Sequence, residues 1–294
     1  MSAAGLVRRV LGTPAARRRA CADLLDPDEE RALHRSSARR VDDEPWTPAD
    51  MVLLDEAEAL INGVPATYLH VVVDEAQDLS GMALRMVARR APSGSMTVLG
   101  DLAQATAPGA QDDWVDLAVH LGVADDADLC ELGTGYRLPG EILDWASRLL
   151  PEAAPGLRPA RSVRRGGQPP VVQRIDVDSL SPGVVEAVGE LALSWGLLGV
   201  IAPPSRVGPL QQALATAGLD VGPVDPARLD HQVTVLSAGG AKGLEFDATV
   251  VVEPAAIVEE EPGGVRALYV ALTRSVQELH VLHADDLPPV LAET

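Results

Sequence analysis

The chain has 294 residues, 47% of them hydrophobic and 23% charged, with a formal net charge of −19. A chain of this length is expected to form about two domains, and its acidic body excludes broad, non-specific binding of duplex phosphate, which needs Lys- and Arg-lined surfaces. The charge is uneven, because residues 1–40 hold nine Arg against five acidic residues and leave −23 on the remainder.

Residues 1–45 read as short Arg- and Ala-rich helices, with Leu24, Leu25 and Leu33 as expected packing points. A stronger helix follows. Thr47 is its N-cap, Pro48 takes the first helical position, Asp50 completes a capping box, and Gly63 closes it after Met51 to Ile61. Val71-Val72-Val73, with three β-branched residues in a row, reads as a short strand buried on both faces. Residues 81–90 then read as an amphipathic helix, and Met96 to Leu99 as a second buried strand. Around Trp114, Val115, Leu117 and Val119 the pattern hints at one more short helix before a boundary near residue 128.

Beyond that boundary, Leu129 to Leu132 is expected to open a new strand, and a helix is expected from Pro139 to Leu150. Residues 151–169 read as a Pro-, Gly- and Arg-rich loop whose Arg161, Arg164 and Arg165 form a small basic cluster. Strands are then expected at 171–175, 198–202, 233–236, 248–252 and 279–282, with helices at 182–195, 207–217 and 263–273. Glu259-Glu260-Glu261 is expected to lie in a solvated loop. Alternation at this spacing means an α/β protein with a parallel sheet covered on both faces.

Chemistry is expected where strands end, because open α/β sheets bind ligands outside their carboxyl ends. Asp74-Glu75 follows the first short strand, and an Asp there can hold a magnesium ion while the Glu activates a water. The alternative is an acidic turn in which Asp78 or Ser80 caps the next helix. Gly100-Asp101-Leu102-Ala103-Gln104 sits at the end of the second strand, one strand–helix–strand unit later. A Gln at that position can hydrogen-bond a terminal phosphate or its attacking water. His280 and His283, three apart on an expected strand, point to opposite faces and make a poor metal pair. Cys21 and Cys130 show no metal-ligand spacing, which points to a reduced, cytoplasmic setting. No apolar run approaches the roughly 18 residues of a membrane span, so no membrane partner is expected.

Taken in order, five segments resemble the later motifs of superfamily-one helicases of the UvrD/Rep type. They are Asp74-Glu75-Ala76-Gln77-Asp78, Gly100-Asp101-x-x-Gln104, Tyr136-Arg137, Ala241-Lys242-Gly243-Leu244-Glu245-Phe246-Asp247, and Ala267-Leu268-Tyr269-Val270-Ala271-Leu272-Thr273-Arg274. Within that group the chain is most similar to the HelD (helicase IV-like) branch, through Trp46-Thr47-x-Ala49-Asp50, Leu53-Leu54-Asp55-Glu56-Ala57 and Gln104-Ala105-Thr106. The resemblance covers roughly residues 20–290. It implies two RecA-like lobes with parallel sheets. The first is incomplete and spans residues 1–128 with the N-terminal helices, and the second spans residues 129–294.

It also implies an ATP and Mg2+ site in which Asp74 ligates the metal and Glu75 is the general base. Gln104 senses the γ-phosphate and Tyr136 stacks on the adenine. Arg137 reaches the γ-phosphate, Lys242 and Glu245 sit at the nucleotide, and Arg274 acts as an arginine finger. A well-placed finger is worth about 10³–10⁵ in rate. The implied function is the carboxyl-terminal part of a DNA helicase or translocase motor, acting on single-stranded nucleic acid.

Two departures from the family pattern carry weight. No Gly-x-x-x-x-Gly-Lys-Ser/Thr, the loop that cradles the β- and γ-phosphates, occurs in these 294 residues. Lys242 is the single lysine, but Gly243 follows it and a strand, not a helix, comes next. The aromatic residues that UvrD-type proteins place after Gly-Asp-x-x-Gln to stack on bases are replaced by the small residues 105–110. The expected consequence is weak ATP binding with negligible hydrolysis by the chain alone, and a P-loop-bearing subunit as a partner. The alternative expectation is a non-catalytic module that contacts RNA polymerase or another nucleic-acid-processing protein.

Overall fold

The structure, a computed structural model, describes residues 2–223 and 230–292. Its residues divide into two compact units, one formed by Met1–Gly100 with Asp113–Ala127, the other by Asp101–Asp112 with Asp128–Thr294. The segment Asp101–Asp112 thus packs with the C-terminal unit, whereas a single division near residue 128 was the expectation from sequence. Parallel pairing in every sheet gives the α/β architecture that the alternating pattern implied.

In the N-terminal unit, α1 (Ala3–Gly12), α2 (Pro14–Cys21) and α3 (Pro27–Ala32) precede the longer α4 (Pro48–Asn62). The capping box on α4 is formed as its sequence dictates: Asp50 accepts from the Thr47 backbone amide at 2.7 Å, and Gly63 closes the helix at a φ of 84°. Ala3 and Val7 of α1 pack on Ala57 of α4. Leu24, Leu25 and Leu33 are exposed, contrary to the expectation that they anchor this region. The helices are held instead by ion pairs: Arg17 is buried against Glu30 at 2.6 Å, and Arg35 meets Asp50 at 2.8 Å.

β1 (Val71–Val73), α5 (Gly81–Ala88) and β2 (Met96–Val98) form the expected strand–helix–strand unit, with β1 and β2 parallel and Val72 opposite Thr97. α6 (Trp114–Leu121) adds Leu117 and Leu121 to the small core around Val73 and Leu84. The strand buried on both faces is not found, because the helices lie on one face only and leave Val72 in solvent.

The C-terminal unit holds β3 (Thr134–Gly135), α7 (Gly140–Ala146), α8 (Leu150–Ala153), β4 (Arg161–Ser162), β5 (Val171–Arg174) and α9 (Leu180–Leu191). β6 (Leu198–Ile201), α10 (Pro204–Thr216), β7 (Val233–Leu236), α11 (Ala238–Ala241) and β8 (Phe246–Val252) follow. α12 (Pro254–Glu260), α13 (Val265–Leu272), β9 (Ser275–His283) and α14 (Pro289–Ala292) complete it.

Five strands make one parallel sheet in the order β5-β9-β8-β6-β7. Period-two alternation splits its side chains between two cores. Val200, Ala248 and Val250 face α9 and α10, while Ile201 and Val251 face α7 and α13; an irregularity of register between Phe246 and Ala248 puts Phe246 in that second core, out of step with the alternation. The row Leu279, Thr249, Gly199 and Thr234 crosses the sheet in register.

Three other expectations change here. Residues 129–132 form no strand, and Leu129 and Leu132 are exposed, so the apolar alternation lacked a surface to bury against. Glu259 and Glu260 belong to α12 rather than a loop, and the Glu260 carboxylate accepts from the Ser205 amide at 2.9 Å. Arg164 is not a free surface cation. Its guanidinium donates to the Val276 carbonyl at 2.7 Å and to Gln277 Oε1 at 2.6 Å, which ties the loop to β9.

Candidate functional site

In the N-terminal unit the chain leaves β1 into Asp74-Glu75, and the backbone there is unusual. Glu75 sits at φ 53° and ψ 35°, a left-handed conformation that costs a side-chain-bearing residue of order 1 kcal/mol. Two hydrogen bonds hold it there. Asp74 Oδ1 accepts from the Glu75 amide at 2.9 Å, and the fully buried Gln77 donates from Nε2 to Glu75 Oε2 at 2.7 Å. A Cβ on Gly100 would overlap the Gln77 side chain, so glycine at the tip of β2 makes room for the amide that positions Glu75. Asp74 and Glu75 are both exposed. The next helix is capped by Ser80, whose Oγ accepts from the Ala83 amide at 3.3 Å, one of the two caps that the alternative reading of this turn expected.

In the C-terminal unit a second set of groups converges around Gln104. Asp101 caps the turn Leu102–Gln104 by accepting from the Ala103 amide at 2.9 Å, and its other carboxylate oxygen accepts from Gln104 Nε2 at 2.7 Å. The amide thus turned, Gln104 Oε1 accepts from Arg274 Nη2 at 3.0 Å. Lys242 Nζ donates to the Gln104 backbone carbonyl. Arg274 is only 3% exposed and also donates to the Val270 carbonyl at 3.0 Å and Thr273 Oγ1 at 3.1 Å.

Arg137 pairs with Glu245 at 2.7 Å and donates to the Thr273 carbonyl at 3.1 Å, while its buried Nε has no partner. Tyr136 beside it is 74% exposed. Tyr269, on α13, is buried among the same groups. Burial pushes its phenol up to about 12, with the charge on Asp101 adding to the rise and Arg274 and Arg137 pulling against it.

Of the residues singled out from sequence, Gln104, Lys242 and Arg274 are therefore in direct contact, and Arg137 and Glu245 are paired. Asp74 and Glu75 lie together at the tip of β1. Asp101, Tyr269 and Thr273 were not named as site residues. Their adjacency to Gln104 and Arg274 in the Gly-Asp-x-x-Gln and Thr-Arg segments was the available signal.

No family model matches the chain, and no curated protein matches it. Among solved structures it is similar to the C-terminal domain of a possible DNA helicase from Lactobacillus plantarum WCFS1, with 24% identity and a TM-score of 0.43 over 54% of this chain and 92% of that one. It is also similar to the arterivirus nonstructural protein 10 helicase, solved in complex with DNA, with 15% identity and a TM-score of 0.43. That match covers 74% of this chain and 40% of the viral one. None of the described helices is long and apolar enough to cross a membrane.

Proposed function

We propose that this chain is the carboxyl-terminal motor portion of a UvrD/HelD-type superfamily-one helicase, with two RecA-like lobes of which the first is incomplete, and that it binds Mg-ATP weakly and hydrolyses it negligibly alone. One observation carries the reading. Lys242 and Arg274, 138 and 170 residues beyond Gln104 along the chain, both bond to that one residue, Lys242 to its backbone carbonyl and Arg274 to its side-chain amide oxygen. Each comes from a different one of the five ordered segments, and a polar loop without function gives no reason for that convergence.

The side chains suit the roles assigned to them. Asp74 keeps one carboxylate oxygen for a divalent cation, since the other accepts from the Glu75 amide. Magnesium is commonly held by one or two carboxylates plus the phosphates of its substrate, so a single Asp fits the ion. A bound cation would neutralise charge at the phosphates, and Glu75 would be the group to take the proton of an attacking water. The buried Nε of Arg137 lacks an acceptor that a phosphoryl oxygen can supply, and the exposed ring of Tyr136 offers a face for a purine. Arg274 is held by the Gln104 amide oxygen together with Val270, Thr273 and Leu244, so acting as a finger requires it to exchange bonds of this set for a phosphoryl oxygen. Single-stranded nucleic acid and a P-loop-bearing polypeptide are the partners this reading requires.

A fluorescent ATP analogue titrated into the chain with magnesium tests it. Weak, saturable binding is expected, lost in Arg137→Ala and reduced in Tyr136→Ala, with no turnover above background. Binding indifferent to both substitutions sinks the site assignment. Turnover that disappears in Glu75→Gln overturns the inactivity.

A second reading, a non-catalytic module that contacts RNA polymerase or a similar partner, is favoured by the burial of Arg274 among carbonyl acceptors, the setting of a structural arginine. Capture of RNA polymerase that persists in Arg137→Ala, with no nucleotide binding, selects that reading. Restored turnover on adding a P-loop polypeptide and single-stranded DNA selects the first.

A further inference from the structure

In the C-terminal unit β3 and β4 pair in parallel, with Thr134 opposite Arg161 and Gly135 opposite Ser162. The Val163 amide continues the ladder to the Gly135 carbonyl at 3.0 Å, which sets Val163 beside Tyr136. Side chains alternate across such a ribbon, so its two faces differ. One face is occupied: Ser162 Oγ donates to the Leu138 carbonyl and accepts from the Arg164 amide, and Arg164 is tied to β9. The other carries Thr134, Tyr136, Arg161 and Val163, all of them exposed. Glu131, the acid just before β3, is taken by Arg158 at 2.6 Å. Arg161 is left with neither a hydrogen bond nor an ion pair among the described residues.

The order of these groups along the ribbon has a direction. Arg137, assigned above to a phosphate, follows Tyr136 in the chain, whereas Thr134 and Arg161 come two residues before Tyr136 and Val163. At the usual rise of a strand, two residues set Arg161 roughly 7 Å back along the ribbon, on the side away from the phosphates and within reach of its long side chain. A purine stacked on Tyr136 with its triphosphate toward Arg137 therefore turns the edge bearing its C6 substituent toward Arg161. A guanidinium has donors only. It bonds the O6 acceptor of guanine but meets the N6 amine of adenine donor to donor.

We infer that Arg161 reads the base at this nucleotide site and that the site takes guanine nucleotides in preference to adenine nucleotides. Val163 lies beside Tyr136 and extends the apolar surface under the base. Thr134 opposes neither base, because its hydroxyl both donates and accepts. The stacking ring and the phosphate contact are those of the nucleotide reading above, so the base preference rests on that reading.

Competition of GTP, ITP and ATP, each with magnesium, against a fluorescent triphosphate analogue bound to the full chain reads the preference. GTP is expected to compete about tenfold more strongly than ATP. ITP, which keeps O6 and lacks the N2 amine, should match GTP. Arg161→Ala should weaken GTP to the level of ATP and leave ATP within about twofold of the parent. Arg161→Gln, whose amide offers a donor and an acceptor, should shift the ratio toward ATP. Because Arg161 is exposed and its backbone makes the ladder bond, these variants keep the fold. Equal competition by ATP and GTP in the parent leaves the nucleotide reading standing and overturns the base preference. Equal weakening of both nucleotides in Arg161→Ala makes Arg161 a phosphate contact and also overturns it. Competition by none of the three overturns the nucleotide reading together with the preference.

Discussion

Arg274 Nη2 and Gln104 Oε1 lie 3.0 Å apart, joining residues 170 positions distant along the chain. The bond matters because both ends are fixed independently: Asp101 holds the amide, and the end of α13 holds the guanidinium. Arg274→Ala should cost about 2–4 kcal/mol, since a buried arginine is removed and several acceptors are left bare. Arg274→Lys should fall between, because an ammonium cannot reproduce the fork. A double-mutant cycle with Gln104→Ala, read from denaturation midpoints, should show a coupling of about 1–2 kcal/mol. Strict additivity would show that the two residues do not share the bond.

Glu75 is held in a left-handed backbone conformation while donating no backbone turn that glycine could not make better. Retaining a carboxylate there is expected when the side chain is the reason for the position. Glu75→Gln keeps the backbone and still offers Gln77 an acceptor, so stability should stay within about 0.5 kcal/mol of the parent. Glu75→Val adds β-branching to a positive φ and strips Gln77 of its partner, at an expected cost of about 2–3 kcal/mol. Thermal unfolding of the two variants side by side separates these effects.

The parallel sheet of the C-terminal unit was legible in the sequence because β6, β7 and β8 are largely apolar and alternate with helical patterns. Period alone distinguishes those patterns. The Asp74-Glu75, Gln104 and Arg274 segments stood out for another reason: they recur in a fixed order with the other segments of the helicase resemblance, and the structure brings Gln104 and Arg274 together. What sequence could not show was the neighbourhood. Val71 to Val73 looks like any fully buried strand, and only the structure reveals that one face is bare. Leu129 to Leu132 has the right residues for a strand but no edge to pair with. Tyr269 and Thr273 lie inside a helix-and-turn pattern that apolar packing already explains, so although Thr273 adjoins Arg274 in sequence, the bond from Arg137 to the Thr273 carbonyl and the burial of Tyr269 among these groups emerge only in three dimensions.

Asp50 accepts hydrogen bonds from Arg35 and from the backbone and side chain of Thr47, and these hold its carboxyl down to about 2 although burial pushes the other way. A depressed folded-state value adds stability that is complete above the unfolded value, near 4, and is lost as pH falls toward 2. The term is on the order of 2 kcal/mol. The unfolding temperature of the parent should therefore fall more steeply between pH 4 and pH 2 than that of Asp50→Asn. Parallel curves across that range would remove Asp50 from the acid sensitivity of the N-terminal helices.

Gly199, in the middle of β6, lies under the ring of Phe246, the single phenylalanine of the chain. A Cβ at Gly199 would come within 2.6 Å of Cδ2 and 2.8 Å of Cγ of that ring, and Phe246 is fully buried. The ring has nowhere to go, because Ile201 and Val251 share its core on the same face of the sheet. Gly199→Ala should therefore cost about 1–3 kcal/mol by overpacking, despite alanine being the better strand residue on entropy alone. Phe246→Leu should cost a similar amount by leaving a void. The double variant should be less damaging than the sum, with the added methyl occupying space the ring vacated, a coupling of about 1 kcal/mol or more. Phe246 also adjoins Glu245, which pairs with Arg137 at 2.7 Å. Gly199→Ala is therefore expected to weaken nucleotide binding as well as the fold, although Gly199 contributes no side chain to the site. Denaturation midpoints and the ATP-analogue titration on all three variants provide the check, and a stable, fully binding Gly199→Ala would show that the ring does not set the position of Glu245.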